Sequence, residues 1–196
     1  MVFWIEKMVA RILLASLLLV IFVCSHSFAQ SNEDFFREYY TFNTKHEKLA
    51  QFQGKWKLAI ELHSKEGPEY AQGISLINLV LNYRILEFKD SIISSVGIPY
   101  ESRTYIGYDG IRKKYFLVSF NSLTNAVVIL NGTYLENQNQ FIFEGKTDDP
   151  KTKESVSAVM KIIWERDNKF WIEYSHKQKN KETLISKAMY VKLPQE

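Results

Sequence analysis

From Gly54 onward, apolar and polar positions alternate: Trp56, Leu58, Ile60 and Leu62 interleave with Lys55, Lys57 and Glu61. A period of two is that of a β-strand with one dry and one wet face. The chain before it reads differently. Residues 31–42 are acidic and then aromatic, with Phe35, Phe36, Tyr39 and Tyr40 at helical spacing, which predicts a short helix or an arm lying on the domain. Thr44 followed by Glu47 has the form of a capping box, in which each side chain satisfies the other's backbone N–H. A helix of one to two turns is therefore expected to run to about Phe52, with Leu49 and Phe52 turned inward.

After the first strand, turn chemistry recurs: Glu66-Gly67-Pro68, Val96-Gly97-Ile98-Pro99, Asp109-Gly110, 121–125, 136–140, Asp148-Asp149-Pro150, Asp167-Asn168 and 177–181. Between these lie runs rich in Val, Ile, Phe, Tyr and Thr. Their spacing predicts about ten strands joined as hairpins, with no helical pattern long enough for a parallel crossover. A meander manages its edges by stacking as two sheets or by closing on itself. A helix ahead of the first strand favours closure. The expected fold is all-β, an antiparallel up-and-down barrel over residues 54–193 behind an arm and short helix at 30–53. Barrels of eight to ten strands are filled by side chains or hold one small ligand.

The N-terminus changes the picture of compartment. Lys7 and Arg11 precede an apolar run from Ile12 to Cys24, and Ser27-Phe28-Ala29 supplies small residues for cleavage before Gln30. Residues 1–29 read as a secretory signal peptide, and the run of about 13 residues is short of the roughly 20 needed to span a bilayer. An exported protein, periplasmic or secreted, without stable membrane insertion is the expectation. The bulky Val23 before Cys24 disfavours lipoprotein processing. Cleavage would remove the single cysteine, and with it any disulfide or thiolate chemistry. It would also lower the net charge from +3 to about +2, too little to imply nucleic acid.

Strand parity groups the candidate residues. Ser102, Thr104, Ile106 and Tyr108 share one face, a mixed surface able to supply the polar minority of an apolar pocket. Phe116, Val118 and Phe120 share another, as do Phe141 with Phe143, Met160 with Ile162 and Trp164, and Phe170 with Ile172 and Tyr174. These are core faces first, and pocket walls if the core is not full. Ser102, Thr104, Tyr108, Phe120, Phe143, Trp164 and Tyr174 are the candidate ligand contacts. Gly107-Tyr108-Asp109-Gly110 reads as a tight turn, with Asp-Gly supplying a positive φ and Asp109 accepting backbone N–H bonds. His46 is expected to serve the N-terminal helix as a hydrogen bonder. Neither His46, His63 nor His176 stands at metal-ligand spacing from another, so no metal and no cofactor is called for. Asn131-Gly132-Thr133 fits a glycosylation sequon and reads more simply as a strand end. No nucleophile elbow, paired-carboxylate motif or phosphate loop occurs.

"HEKLAQFQGKW", "YIGYDGIRKKYFLVSFNSLTNAVVILNGTY" and "EGKTDDPKTKE", in that order, resemble the bacterial family catalogued as domain of unknown function 1579, over about residues 46–192. The chain departs from the family's pattern at Phe52, where Leu is common, and at Asn82-Tyr83, where a Gly-containing turn is usual. The resemblance implies a lipocalin-like barrel of the calycin type and leaves the biochemical role open. It implies that Trp56, after Gly54, sits at the closed end with Lys192 as a candidate cover. Because some calycin-like barrels hold haem through a late-strand histidine, it also makes His176 a weaker candidate. Three function classes remain. A carrier of a small apolar or amphipathic ligand leads, followed by a structural or protein-interaction domain with a solid barrel, and then an enzyme.

Overall fold

The computed structural model describes residues 42–64, 66–124, 126–148, 153–178 and 181–194. The expected signal peptide and aromatic arm lie outside these residues. Helix α1 (Thr44–Ala50) precedes ten strands: β1 (Gly54–Ser64), β2 (Gly67–Val80), β3 (Ile85–Ser94), β4 (Pro99–Asp109), β5 (Lys114–Asn121), β6 (Val127–Leu135), β7 (Gln140–Asp148), β8 (Ser155–Arg166), β9 (Lys169–Gln178) and β10 (Lys181–Lys192). Every neighbour in sequence is a neighbour in the sheet, and β1 pairs with β10, so the meander closes as an antiparallel barrel. Closure removes both sheet edges.

The alternation in β1 is realised as expected, with Trp56 and Leu58 fully buried and Lys55 to Glu61 presenting the opposite parity outward. β2 is long and passes close to β3 at Gly73, where a Cβ would lie 2.1 Å from the Ser91 carbonyl oxygen. Only a residue without a side chain admits that approach. Gly132 has a comparable role in β6: a Cβ there would lie 2.5 Å from Phe143 Cδ1, so the glycine lets the Phe143 ring lie across the strand. The Asn131-Gly132-Thr133 sequon is therefore mid-strand, not a strand end.

Two local expectations are corrected. The helix cap is Asn43, not Thr44: its Oδ1 accepts from Lys45 N at 3.0 Å, while the backbone N–H of Asn43 donates to His46 Nδ1 at 3.3 Å. The box thus starts one residue earlier, with His46 in the position expected of Glu47. In the β4–β5 turn, Asp109 Oδ1 accepts from Ile111 N and Arg112 N at 2.9 and 3.0 Å, as an Asx turn does. The left-handed residue there is Lys113, at φ 53°. The β2–β3 turn, which lacks the usual glycine, runs through three successive left-handed residues, Leu81, Asn82 and Tyr83, at φ 50°, 55° and 64°.

β5 departs from expectation in direction. Its sequence carries apolar residues on both faces, so parity groups them without saying which face is inside. Tyr115 and Leu117 take the core, at 3% and 0% exposure, whereas Phe116, Val118 and Phe120 face outward and Phe120 is 40% exposed. Phe120 packs on Tyr105 outside the barrel, with ring centroids 6.1 Å apart.

Candidate functional site

The helix end of the barrel is solid. Leu49 in the last turn of α1 and Phe52 just after it are buried at 1% exposure each, beside Trp56 and Phe170 at 0%. The rings meet edge to face: Trp56 and Phe170 at 4.8 Å, Phe52 and Trp164 at 4.9 Å, Phe52 and Phe170 at 5.0 Å. That geometry matches the quadrupole preference of aromatic pairs. The Trp56 indole N–H donates to the Phe52 carbonyl at 2.8 Å, so its one polar group is satisfied in the interior. Lys192, paired with Trp56 in the β1–β10 register, holds its ammonium 5.2 Å from the indole ring. Gly54, at φ 134°, makes room for it, since a Cβ there would stand 3.0 Å from the lysine side chain.

Tyr108, one of the candidate ligand contacts, belongs to this end. It faces inward beside Tyr115 and His46, at ring distances of 5.1 and 6.1 Å. The Tyr115 hydroxyl donates to the Lys45 carbonyl of α1 at 2.9 Å. Burial pushes the Tyr115 phenol well above its usual range. Burial also lowers the His46 pKa, with the Arg84 guanidinium acting the same way.

Towards the opposite end the interior is not filled. A cavity of about 270 Å³ is lined by Ile60, Leu62, Ile92, Tyr100, Ser102, Thr104, Ser119, Asn121, Val128, Met160, Ile172, Tyr174, Ser186 and Ala188, over a base of Phe88, Ile106, Leu117, Ile162 and Tyr190. Many of the wall residues keep solvent-accessible surface although they point inward. Of the candidates from sequence, Ser102, Thr104 and Tyr174 line this cavity. Phe143 and Trp164 are packed against the core away from it, and Phe120 is outside the barrel. His176 stands on the inward face of β9, 3.3 Å from the Tyr174 hydroxyl.

The polar part of the cavity is organised by strand register. Ser75, Asp90, Ser102 and Asn121 pair across β2, β3, β4 and β5. All therefore point to one side, which is the interior. Asp90 is 5% exposed, and its Oδ2 accepts from Ser102 Oγ at 2.9 Å and from the Tyr190 hydroxyl at 3.5 Å. Its Oδ1 is buried with no partner, as is Ser75 Oγ. The Ser75 hydroxyl is near enough to favour the ionised carboxyl, yet its geometry does not make a hydrogen bond. Burial outweighs these donors and the Arg103 charge, and holds the Asp90 pKa above the ordinary carboxyl value. Burial, with Asp90 beside them, raises the Tyr100 and Tyr190 phenols as well. One row further in, Thr104 Oγ1 and Ser119 Oγ share a hydrogen bond of 2.8 Å.

Asp90 carried a readable sequence signal. In ILEFKDSIIS the inward parity gives Leu86, Phe88, Asp90 and Ile92, a single acid on an otherwise apolar strand face. A buried carboxyl among apolar neighbours costs free energy unless it is paired, so its presence marks a place where polarity is put to use.

A larger concavity, about 550 Å³, lies on the outer face and is lined by residues such as Tyr70, Gln72, Ile93, Trp171, Lys187 and Met189. Lys169 and Lys187 lie over the Trp171 ring at 4.7 and 4.6 Å, and its N–H donates to Glu165 at 2.7 Å. No side chain lining it has a buried polar atom without a partner. The interior cavity is therefore the better candidate despite its smaller volume. Among the described residues, no group of three His, Cys, Asp or Glu is placed to hold a metal ion, and no helix is long and apolar enough to cross a membrane.

The chain belongs to the family described as "Protein of unknown function (DUF1579)", whose model matches residues 41–192. No curated protein matches it. Among solved structures it is similar to the S-type phycobiliprotein lyase CPES from Guillardia theta, with a TM-score of 0.57 and 14% identity over 81% of this chain and 97% of that one. It is similar to Rv2717c from M. tuberculosis to the same degree, with a TM-score of 0.57 and 12% identity over 79% of this chain and all of the other. At such identities the likeness is one of fold, a lipocalin-like barrel.

Proposed function

We propose that this member of the DUF1579 family binds one small amphipathic molecule inside the barrel, at the end away from α1. The observation that carries the reading is the unfilled interior: about 270 Å³ walled mainly by apolar side chains, with a buried carboxyl and hydroxyls at one place in the wall. That volume is just under the roughly 300 Å³ at which ordinary small-molecule sites begin, so the ligand is compact. The likeness to a phycobiliprotein lyase supports a barrel able to hold a ligand and says nothing of its identity. The competing reading, a solid barrel acting through its surface, has the exposed Phe120, Val127 and Ile129 in its favour. The packed floor shows that this chain can fill an interior, and it does not do so here.

The test is native mass spectrometry of the purified protein after incubation with a lipid and metabolite extract. A retained small molecule is expected, and Ala188→Trp, which fills the cavity from β10, should abolish retention without changing the circular dichroism spectrum. If nothing is retained, or if the filled variant retains the same mass, the reading fails. We infer as well, from the signal-like residues 1–29, that the protein acts after export. A mature N-terminus at Gln30 is the expected finding in the producing cell, and an intact Met1 there would refute it.

A further inference from the structure

We propose that the ligand carries an ammonium head on a compact apolar body, and that the Asp90 carboxyl is the group that receives it. This deepens the reading of the cavity as a binding site and rests on it.

Three observations converge. First, the hydrogen bonding of Asp90 is one-sided: Ser102 and Tyr190 both donate to Oδ2, while Oδ1 has no donor. A carboxylate can accept about four hydrogen bonds, so this one lacks donors rather than acceptors. Rotation about Cβ–Cγ is soft and can present either oxygen to the cavity. Second, the cavity lining holds no lysine, arginine or histidine, and Asp90 is its one acid. The nearest guanidinium, Arg103, lies on the outward parity of β4, where it donates to Glu101 at 3.1 Å and to the Ser102 carbonyl at 3.0 Å. A ligand carboxylate would therefore meet a like charge in a poorly solvated place with no cation to offset it. Third, the number of donors matters. An ammonium has three N–H bonds, and Asp90 shares the lining with the hydroxyl oxygens of Tyr100, Ser102 and Tyr190, which accept as readily as they donate. An alcohol offers one donor and no charge.

The groups facing Asp90 are Ser75 on β2, Tyr100 and Ser102 on β4 with Arg103 behind them, and Tyr190 on β10. Burial of Asp90 works against its ionised form, and a bound cation works for it. Amine binding should therefore release a proton where Asp90 is protonated beforehand. Affinity should rise with pH until the amine itself begins to lose its charge.

The experiment uses three probes of one shape, phenylbutylamine, phenylbutanol and phenylbutyrate, titrated calorimetrically into the purified full-length protein. At neutral pH the amine should bind about tenfold or more tightly than the carboxylate, and more tightly than the alcohol, in keeping with the extra strength of charge-assisted hydrogen bonds. Asp90→Asn should bring the amine down to the level that the alcohol shows in the same variant. Equal or tighter binding of phenylbutyrate overturns the proposal. So does an amine preference that survives Asp90→Asn. The wild-type ranking decides the matter even if that variant does not fold. Binding of the alcohol without preference for the amine refutes the ammonium assignment alone, whereas failure of all three probes to bind refutes the cavity reading with it.

Discussion

At the α1 end of the barrel, Phe52, Trp56 and Phe170 are buried to 0–1% exposure and every polar atom of the Trp56 side chain is satisfied. At the other end, β4, β5 and β9 carry Ser102, Thr104, Ser119 and Tyr174 inward, around a space that side chains do not fill. The strands are continuous through both halves, so neither topology nor register distinguishes them. The difference lies in side-chain volume: rings from β1, β7, β8 and β9 pack together at one end, and at the other the lining includes the small Ser102, Thr104, Ser119, Ser186 and Ala188 from β4, β5 and β10. One barrel thus separates a packed half from a half whose interior is left open.

Substitution tests that division most directly. Trp56→Ala should cost about 3–5 kcal/mol in urea unfolding, the range for deleting a fully packed aromatic side chain, whereas Met160→Ala, at the half-filled end, should cost about 1 kcal/mol or less. Equal losses would mean that the two halves share one packing.

A second contrast lies in pH, where the halves should respond with opposite sign. The Asp90 pKa is raised on folding, so the native state holds its proton more tightly, and stability from this group falls as pH rises above 3.8. Asp90→Asn should flatten that decline and raise the urea midpoint at pH 8 relative to wild type. His46 at the floor has a lowered pKa, so the native state favours neutral imidazole, and stability is lost as pH falls below 6.5. His46→Gln should remove that acid-side loss, read as a flatter thermal midpoint between pH 7 and pH 5. Same-signed slopes for both groups would break the comparison.

Smaller effects should come from the periphery of the floor. Asn43→Ala removes the cap of α1 and should cost about 1 kcal/mol, measured by thermal unfolding. Lys192→Met exchanges the cation above Trp56 for a thioether, and a loss on the order of 1 kcal/mol or less is expected. Neither variant should alter ligand retention, because both side chains lie at the closed end.

Much of this was legible before the structure. Period-two alternation and recurrent turns give ten strands, and a meander with nothing to cover its edges closes. What parity cannot supply is direction when both faces of a strand are apolar. In YFLVSFN Phe116 and Phe120 went outside because Tyr115 and Leu117 continue the core row towards Ser119 and Asn121. Tyr108 shares a face with Ser102 and Thr104, yet a strand of 11 residues is long enough for one face to serve the floor and the cavity in turn. Asp90 was readable from its strand, but its polar neighbours come from β2, β4 and β10, and register between strands is not written in any single stretch of sequence.

The pairing of β1 with β10 sets an order of events. Trp56 and Lys192 are partners across almost the whole described chain, so the pairing of β1 with β10 is a far longer loop closure than any hairpin of the barrel requires. Hairpins β2–β3 through β8–β9 can each form from adjacent residues, but no interior exists until the final strand docks against the first. The lid over Trp56 and the walls around Asp90 therefore become fixed in one late step, and a chain lacking its last dozen residues would have neither a floor nor a cavity. Such closure by distant strands is slow compared with local pairing, which makes β10 the strand whose arrival times the birth of the cavity.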